Sequence, residues 1–235
     1  MRTVDRILAV SDLHGEETKF RALLKEAHYD PDYDLLVICG DLIDRGRENL
    51  ACLETCAKLQ RQGAILLKGN HEQFLEYALF EMLDSDSWRT TPSQRLHNWI
   101  YHDGGGNMFN ELEPLSAAKR SELLRFVQRL PLFFRSGKFL FSHAGANVRK
   151  PIEENGEDEL VWMSESFPFA PAYSEKVMIF GHVPTFHLPD SGLNKKQANI
   201  WYDRTHKDKI GIDCGSIFGG RLAALELPGC REFYV

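Results

Sequence analysis

Aspartate, histidine and asparagine fall in five short clusters along this chain, each where an apolar run gives way to glycine: Ser11-Asp12-Leu13-His14-Gly15, Gly40-Asp41-Leu42-Ile43-Asp44-Arg45-Gly46, Gly69-Asn70-His71-Glu72, Ser142-His143-Ala144-Gly145 and Gly181-His182. Taken singly, these are ordinary residues. An Asp at a strand end is a turn former or an N-cap, and a lone His is usually a satisfied polar side chain. Their joint placement says more. Asp12 and His14 alternate by two, a spacing that aims both side chains at one point when they end a strand. Asp41, Asn70, His143 and His182 each follow a further apolar run. Six candidate ligands, Asp12, His14, Asp41, Asn70, His143 and His182, thus converge on one edge. Oxygen and imidazole donors without thiolate suit two borderline divalent ions, manganese first, with iron or zinc as alternatives.

Such convergence needs a fold that gathers strand ends. Apolar runs over Arg6 to Val10, Asp34 to Cys39 and Ala64 to Lys68 alternate with helical spacing over Glu16 to His28, Arg47 to Gln62 and His71 to Leu83. Near-continuous apolar strands between helices predict a parallel sheet covered on both faces, with its ligand site beyond the carboxyl ends of the strands. Pro92 to Tyr101 and Ser116 to Leu130 are predicted helical, the second opened by Ser116 as N-cap. Between them Asp103-Gly104-Gly105-Gly106-Asn107 reads as a loop lining the pocket. Leu132 to Arg135 and Lys138 to Ser142 flank Ser136-Gly137, a hairpin signal. Asn147 to Tyr173, acidic and proline-bearing, is expected to be an irregular surface excursion.

Strands resume over Lys176 to Phe180, Asn199 to Tyr202, Lys209 to Ile212, Arg221 to Leu227 and Arg231 to Val235, the last two joined at Pro228-Gly229. The expected architecture is α/β: one domain over residues 1–235, with two packed mixed β-sheets flanked by helices. The N-terminal strands are assigned to one sheet and the C-terminal strands to the other.

Composition narrows the class. With 235 residues and 43% hydrophobic content the chain can bury a sizeable core. A net charge of -6 argues against nucleic acid as a partner, which would call for a basic face. No run approaches the roughly 20 apolar residues of a membrane span, and Met1 to Arg6 lacks the apolar core of a secretory signal, so the expected location is cytoplasmic, away from membranes. Cys39, Cys52, Cys56, Cys214 and Cys230 show neither zinc-ribbon nor redox spacing and are expected to be reduced, packed thiols.

The ordered set Asp12-x-His14-Gly15, Gly40-Asp41-x-x-Asp44-Arg45-Gly46, Gly69-Asn70-His71-Glu72, His143-Ala144-Gly145 and Gly181-His182 closely resembles the calcineurin-like metallophosphoesterases, particularly phosphoprotein phosphatases and their bacterial and phage lambda relatives. The likeness runs from about Leu8 through Gly211-Ile212-Asp213-Cys214-Gly215-Ser216-Ile217-Phe218-Gly219-Gly220-Arg221-Leu222, which is similar to that family's last active-site loop and strand. It implies that Asp12 and His14 bind a first ion, that Asp41 bridges, and that Asn70, His143 and His182 complete a second. Hydroxide bridging two such ions would be the nucleophile for in-line attack at phosphorus. The resemblance further implies His71 as the group that protonates the departing oxygen, Asp44 as the carboxylate fixing its tautomer, and Arg45 as a planar fork for phosphate oxygens.

Three departures stand out. Ser11 replaces a usual Gly, Arg47 replaces a usual Pro, and Ser164 stands where many bacterial relatives carry a second phosphate-binding Arg; Arg149, Lys150 and Arg204 are the candidate substitutes. Three activities compete: a serine/threonine phosphatase acting on a phosphoprotein or phosphopeptide, a hydrolase of dinucleoside polyphosphates such as the nucleotide diadenosine tetraphosphate, and a catalytically silent regulatory or scaffold protein. Symmetrical tetraphosphatases typically lack an Asp at the position of Asp44 and carry Asp where Glu72 stands, which favours the first. Intact ligands weigh against the third. The segments Pro92 to Leu130 and Glu153 to Glu159 are expected to shape the pocket mouth, Trp162 and Phe218 to pack in the core or at the rim, and His28, His97, His102, His187 and His206 to lie at the surface or behind the ligands, His187 and His206 being nearest the metal motifs in sequence.

Overall fold

A computed structural model describes residues 6–235; the reading of no secretory signal rests on Met1 to Arg6, and residues 1–5 lie outside the described residues. Three strand-helix steps come first: β1 (Arg6–Val10), α1 (Glu17–Glu26), β2 (Asp34–Ile38), α2 (Asn49–Arg61), β3 (Ile65–Leu66) and α3 (Asn70–Asp84). Helices α4 (Gln94–Tyr101), α5 (Gly106–Leu112) and α6 (Ala117–Gln128) follow. Ser93 and Ser116 open α4 and α6 with side chains that accept from Leu96 N and Lys119 N, the local reason those helices begin there. Next come β4 (Phe133–Ser136), β5 (Phe139–Ser142), α7 (Glu157–Val161), β6 (Val177–Phe180), β7 (Trp201–Tyr202), β8 (Lys209–Gly211), β9 (Ala223–Leu227) and β10 (Arg231–Tyr234).

The strands form two five-stranded mixed sheets, ordered β10-β9-β1-β2-β3 and β4-β5-β6-β8-β7. This corrects the expected division. β9 and β10 do not join the second sheet; β9 runs antiparallel to β1, pairing Ile7 with Leu227 and Val10 with Ala224. The physical reason is the second edge of β1, whose backbone groups would otherwise be left unpaired inside an apolar core. Alternation does the rest: Ala223, Leu225 and Leu227 join Ile7, Ala9, Phe141 and Ile179 between the sheets. Leu222 and Ala224 face the helices with Leu8, Val10, Phe20 and Cys56.

Two further expectations change. The segment from Asn147 to Tyr173 is not only surface: Ile152, Leu160 and Phe167 are buried against Leu140, Met178 and Phe180. Among the described residues, none of helices α1 to α6 contributes to this cluster, and the segment supplies much of the sheet's apolar cover. The glycine run is a turn only as far as Gly105, and α5 begins at Gly106; at seven residues, that helix is too short to show a period in the sequence. Lys209 is buried and fastens the segment, its Nζ reaching Asp203, Asp208 and Ala170 O at 2.7, 2.6 and 2.8 Å. Cys39, Cys52, Cys56 and Cys214 are buried and Cys230 is exposed. No helix among the described residues is long and apolar enough to cross a membrane.

Candidate metal centre and active site

Each candidate cluster follows a strand whose carboxyl end points to one edge, but the aiming device is not strand alternation. Asp12, His14, Asp41, Asp44, Arg45 and His182 all have positive φ, between 44° and 72°. Left-handed backbone costs free energy for non-glycine residues and persists only where neighbours enforce it. Here the loops zip together: Asp12 N donates to Gly40 O at 3.1 Å, His14 N to Asp41 O at 2.9 Å and Gly46 N to His14 O at 3.0 Å. Gly181 is required as well, because a Cβ there would collide with Ser11 Oγ and Asp12 Oδ2.

Glu72 is the keystone of the second loop. Its buried carboxylate accepts from Asp41 N at 2.9 Å, Leu42 N at 2.8 Å and Gly69 N at 2.8 Å. It lies three residues after Gly69, capping-box spacing that the sequence displays. Each buried donor left without a partner costs about 1–3 kcal/mol. Glu72→Ala is therefore expected to lower unfolding free energy by several kcal/mol in a urea titration, and a loss within experimental error would show that the loop is held by other contacts.

Two groups of nitrogen and oxygen donors result: His14, Asp41 and His71, and Asp41, His143 and His182, each with ligand atoms within 4.8 Å of one another. Asp41 belongs to both. His143 Nδ1 lies 2.7 Å from Cys39 O, and since a carbonyl only accepts, the hydrogen sits on Nδ1 and Nε2 presents a bare lone pair. That lone pair faces Asn70 Oδ1 at 3.0 Å, His182 Nδ1 at 3.1 Å and Asp41 Oδ1 at 3.3 Å. Converging lone pairs are what a cation satisfies, and imidazoles oriented through a backbone carbonyl are the usual arrangement around a metal. His14 repeats the device, with Nδ1 at 3.0 Å from Ile43 O and Nε2 at 3.7 Å from Asp41 Oδ2. Asp12 stands at the margin, its Oδ1 4.0 Å from His14 Nε2 and its carboxylate accepting from His182 N. The donor set fits two cations.

Electrostatics point the same way. Burial, then Asp213, raises the Asp12 carboxyl well above its usual range, and burial, then Asp12, does the same for Asp41. Burial pushes Glu72 up to about 7. Burial lowers His14 and His143 well below their usual range and brings His182 down to about 4. In the metal-free chain the raised carboxyls contribute stability that is lost as pH rises through their folded values. The histidines, lowered from 6.5, are neutral in folded and unfolded chains above about pH 7 and drop out. Above about pH 7, as pH rises through the raised values of Asp12 and Asp41, the melting temperature of chelator-treated protein is expected to fall while that of metal-loaded protein holds. Parallel curves would mean that cations do not neutralise these carboxylates.

His71 is bonded through Nδ1 to Asp44 Oδ2 at 2.7 Å, with Nε2 3.8 Å from Asp41 Oδ2. Arg45 carries its guanidinium beside His14 Nε2 and over the Phe218 ring, 5.2 Å from the centroid. Asp41, Asn70, His71, His182 and Arg45 open into one pocket of about 350 Å³. Phe74, His102, Asp103, Gly104, Trp162 and Phe218 complete its wall, so the glycine turn lines the pocket, and Trp162 and Phe218 sit at the rim, 39% and 44% exposed. His102, not His187 or His206, is the remaining histidine at the pocket; His206 lines another cavity, with Asp203. Of the substitutes near Ser164, Lys150 is paired with Glu159 and Arg204 lines other cavities. Arg149 and Ser164 share a neighbouring cavity of about 440 Å³ that meets the first at Trp162.

With that geometry in view, residues 5–213 match the sequence model of the calcineurin-like phosphoesterase family. Serine/threonine-protein phosphatase 1 of Salmonella typhimurium is 30% identical over 224 residues, covering 92% of this chain and 89% of that protein. A symmetrical bis(5'-nucleosyl)-tetraphosphatase of Chromohalobacter salexigens is 32% identical over 140 residues, covering 58% of this chain and 43% of the relative. A solved structure described as a putative diadenosine tetraphosphatase superposes with a TM-score of 0.68 at 19% identity, covering 98% of this chain and 92% of that one, a likeness of fold. The chain belongs to the calcineurin-like phosphoesterase family, whose members use a dinuclear metal centre.

Proposed function

We propose that this chain is a metal-dependent phosphoric monoester hydrolase of the serine/threonine phosphatase type. The observation that carries the reading is Asp41 shared by two donor groups, with the His71–Asp44 pair opening into the same pocket. His14, Asp12 and Asp41 would hold one cation, and Asp41, Asn70, His143 and His182 the other, with manganese as the proposed metal. Two divalent ions there supply a water-derived nucleophile at neutral pH and offset phosphate charge. Arg45 binds phosphate oxygens as a fixed fork. His71, its Nδ1 hydrogen given to Asp44, directs Nε2 to the pocket and delivers a proton to the departing oxygen.

Asp44 and the nearly full-length match to a serine/threonine phosphatase support the monoester reading. Exposed Trp162 and Phe218 at the rim, faces on which a base could stack, favour a tetraphosphatase as the second reading. Chelator-treated protein is expected to be inactive on 4-nitrophenyl phosphate and to regain activity with Mn²⁺; undiminished activity after complete metal removal would sink the proposal. On the same reloaded sample, phosphoserine and phosphothreonine peptides are expected to be turned over faster than diadenosine tetraphosphate. The opposite bias would select the second reading.

A further inference from the structure

Asp44 Oδ2 receives two donors, His71 Nδ1 at 2.7 Å and Trp99 Nε1 at 2.7 Å. Its other oxygen, Oδ1, is buried with no hydrogen-bond partner among the described residues. A carboxylate turns freely about its last bond unless something fixes it. Here two donors on one oxygen, and Asn49 Oδ1 accepting from Asp44 N at 2.7 Å, leave it one orientation. An indole N–H only donates, so Trp99 holds the carboxylate without competing for the proton.

Core packing accounts for the Trp99 ring but not for its hydrogen bond. Trp88 lies in the same apolar cluster, and its indole N–H is buried without a hydrogen-bond partner among the described residues. This core therefore tolerates an unpaired indole, and the pairing of Trp99 with Asp44 is not forced by burial. The surroundings of Trp99 are built to keep it in place. Gly105 N donates to Trp99 O at 2.8 Å, and a Cβ on Gly105 would collide with the indole. The same turn and the first residues of α5 grip the neighbouring residue: Gly104 O accepts from Arg45 N at 2.8 Å, and Asn107 Nδ2 donates to Arg45 O at 3.1 Å. Asp44 and Arg45, both left-handed at φ 72° and 66°, are thus held from outside by α4 and the turn after it.

We infer that Trp99 is a positioning residue for leaving-group protonation, locking the Asp44 carboxylate that orients His71, so that the α4 segment is part of the catalytic apparatus. The inference rests on the proposed role of His71 as general acid.

Trp99→Phe keeps an aromatic ring and removes the N–H. With a phosphoserine peptide, whose alkoxide must be protonated to leave, kcat is expected to fall about 10- to 100-fold, the scale of a misplaced catalytic group, with KM little changed. With 4-nitrophenyl phosphate, whose phenolate departs unaided, the fall is expected to be under about threefold. Unchanged rates on both substrates, or equal losses on both, would overturn the inference, since equal losses mean general damage to the site. Should the Phe variant fail to fold, 3-benzothienylalanine at position 99 preserves the bicyclic shape and deletes only the donor, and it is judged by the same comparison. His71→Asn is measured in parallel. If it shows no leaving-group dependence, the general-acid reading itself fails; if it does and the position-99 variants do not, only the role of Trp99 fails.

Discussion

Asp41→Asn is expected to weaken both cation positions together and to lower phosphoester hydrolysis by about 10³-fold or more. Among the described residues Asp41 alone belongs to both donor groups, with Oδ1 3.3 Å from His143 Nε2 and Oδ2 3.7 Å from His14 Nε2. Its Oδ1 also accepts from His71 N at 3.1 Å, a bond that an amide oxygen keeps, so the backbone is spared and the change is one of charge and lone pairs. Charge stabilisation by bound cations is worth several kcal/mol, and tenfold in rate corresponds to about 1.4 kcal/mol. Elemental analysis after dialysis against limiting Mn²⁺ is expected to show less than one ion per chain. Retention of one full equivalent would mean that Asp41 serves a single position.

His71→Asn produces the opposite combination: metal content intact and turnover of alkyl phosphoesters reduced about 10²- to 10⁴-fold, the range for loss of a general acid. Asn can still donate toward Asp44, so the buried carboxylate is not left alone, but it offers no proton at the Nε2 position. The check is kcat for a phosphothreonine peptide set beside bound metal from the same preparation. Because His71 also stands in the first donor group with His14 and Asp41, metal lost in step with turnover would reassign His71 as a ligand.

Much of the candidate site is legible because metal-ligating residue types sit at the ends of apolar runs, and a parallel sheet gathers those ends. That argument reaches Asp12, Asp41, Asn70, His143 and His182 without knowledge of any contact. It names Asp12 and His14 for an incomplete reason, since left-handed turns rather than extended alternation aim them. Glu72 was within reach, as its spacing from Gly69 is that of a cap. Trp99 and His102 were not. Nothing near Leu96 or Trp99 distinguishes a core-facing stripe from one that also reaches Asp44, because that depends on how α4 docks. The exchange of β9 and β10 between sheets was hidden for a similar reason: alternating apolar residues fit either sheet, and only the open edge of β1 decides. Phe167 and Leu160 lay inside an acidic stretch whose polar majority masked the few residues that cover the second sheet.

The pairing of β1 with β9 bears on how the molecule is made. A ribosome delivers β1 before β9, and the strand that closes the second edge of β1, through Ile7 and Leu227, emerges only after every strand of the second sheet. The donors are spread in the same way, from Asp12 in the first loop to His182 after β6. Contacts so distant along the chain make for slow closure, and a nascent fragment holding only the first three strands lacks the proposed ligands His143 and His182. On the proposed ligand set, ion capture thus waits until both sheets are present, and retained metal gauges whether a truncated or misassembled chain has completed its topology.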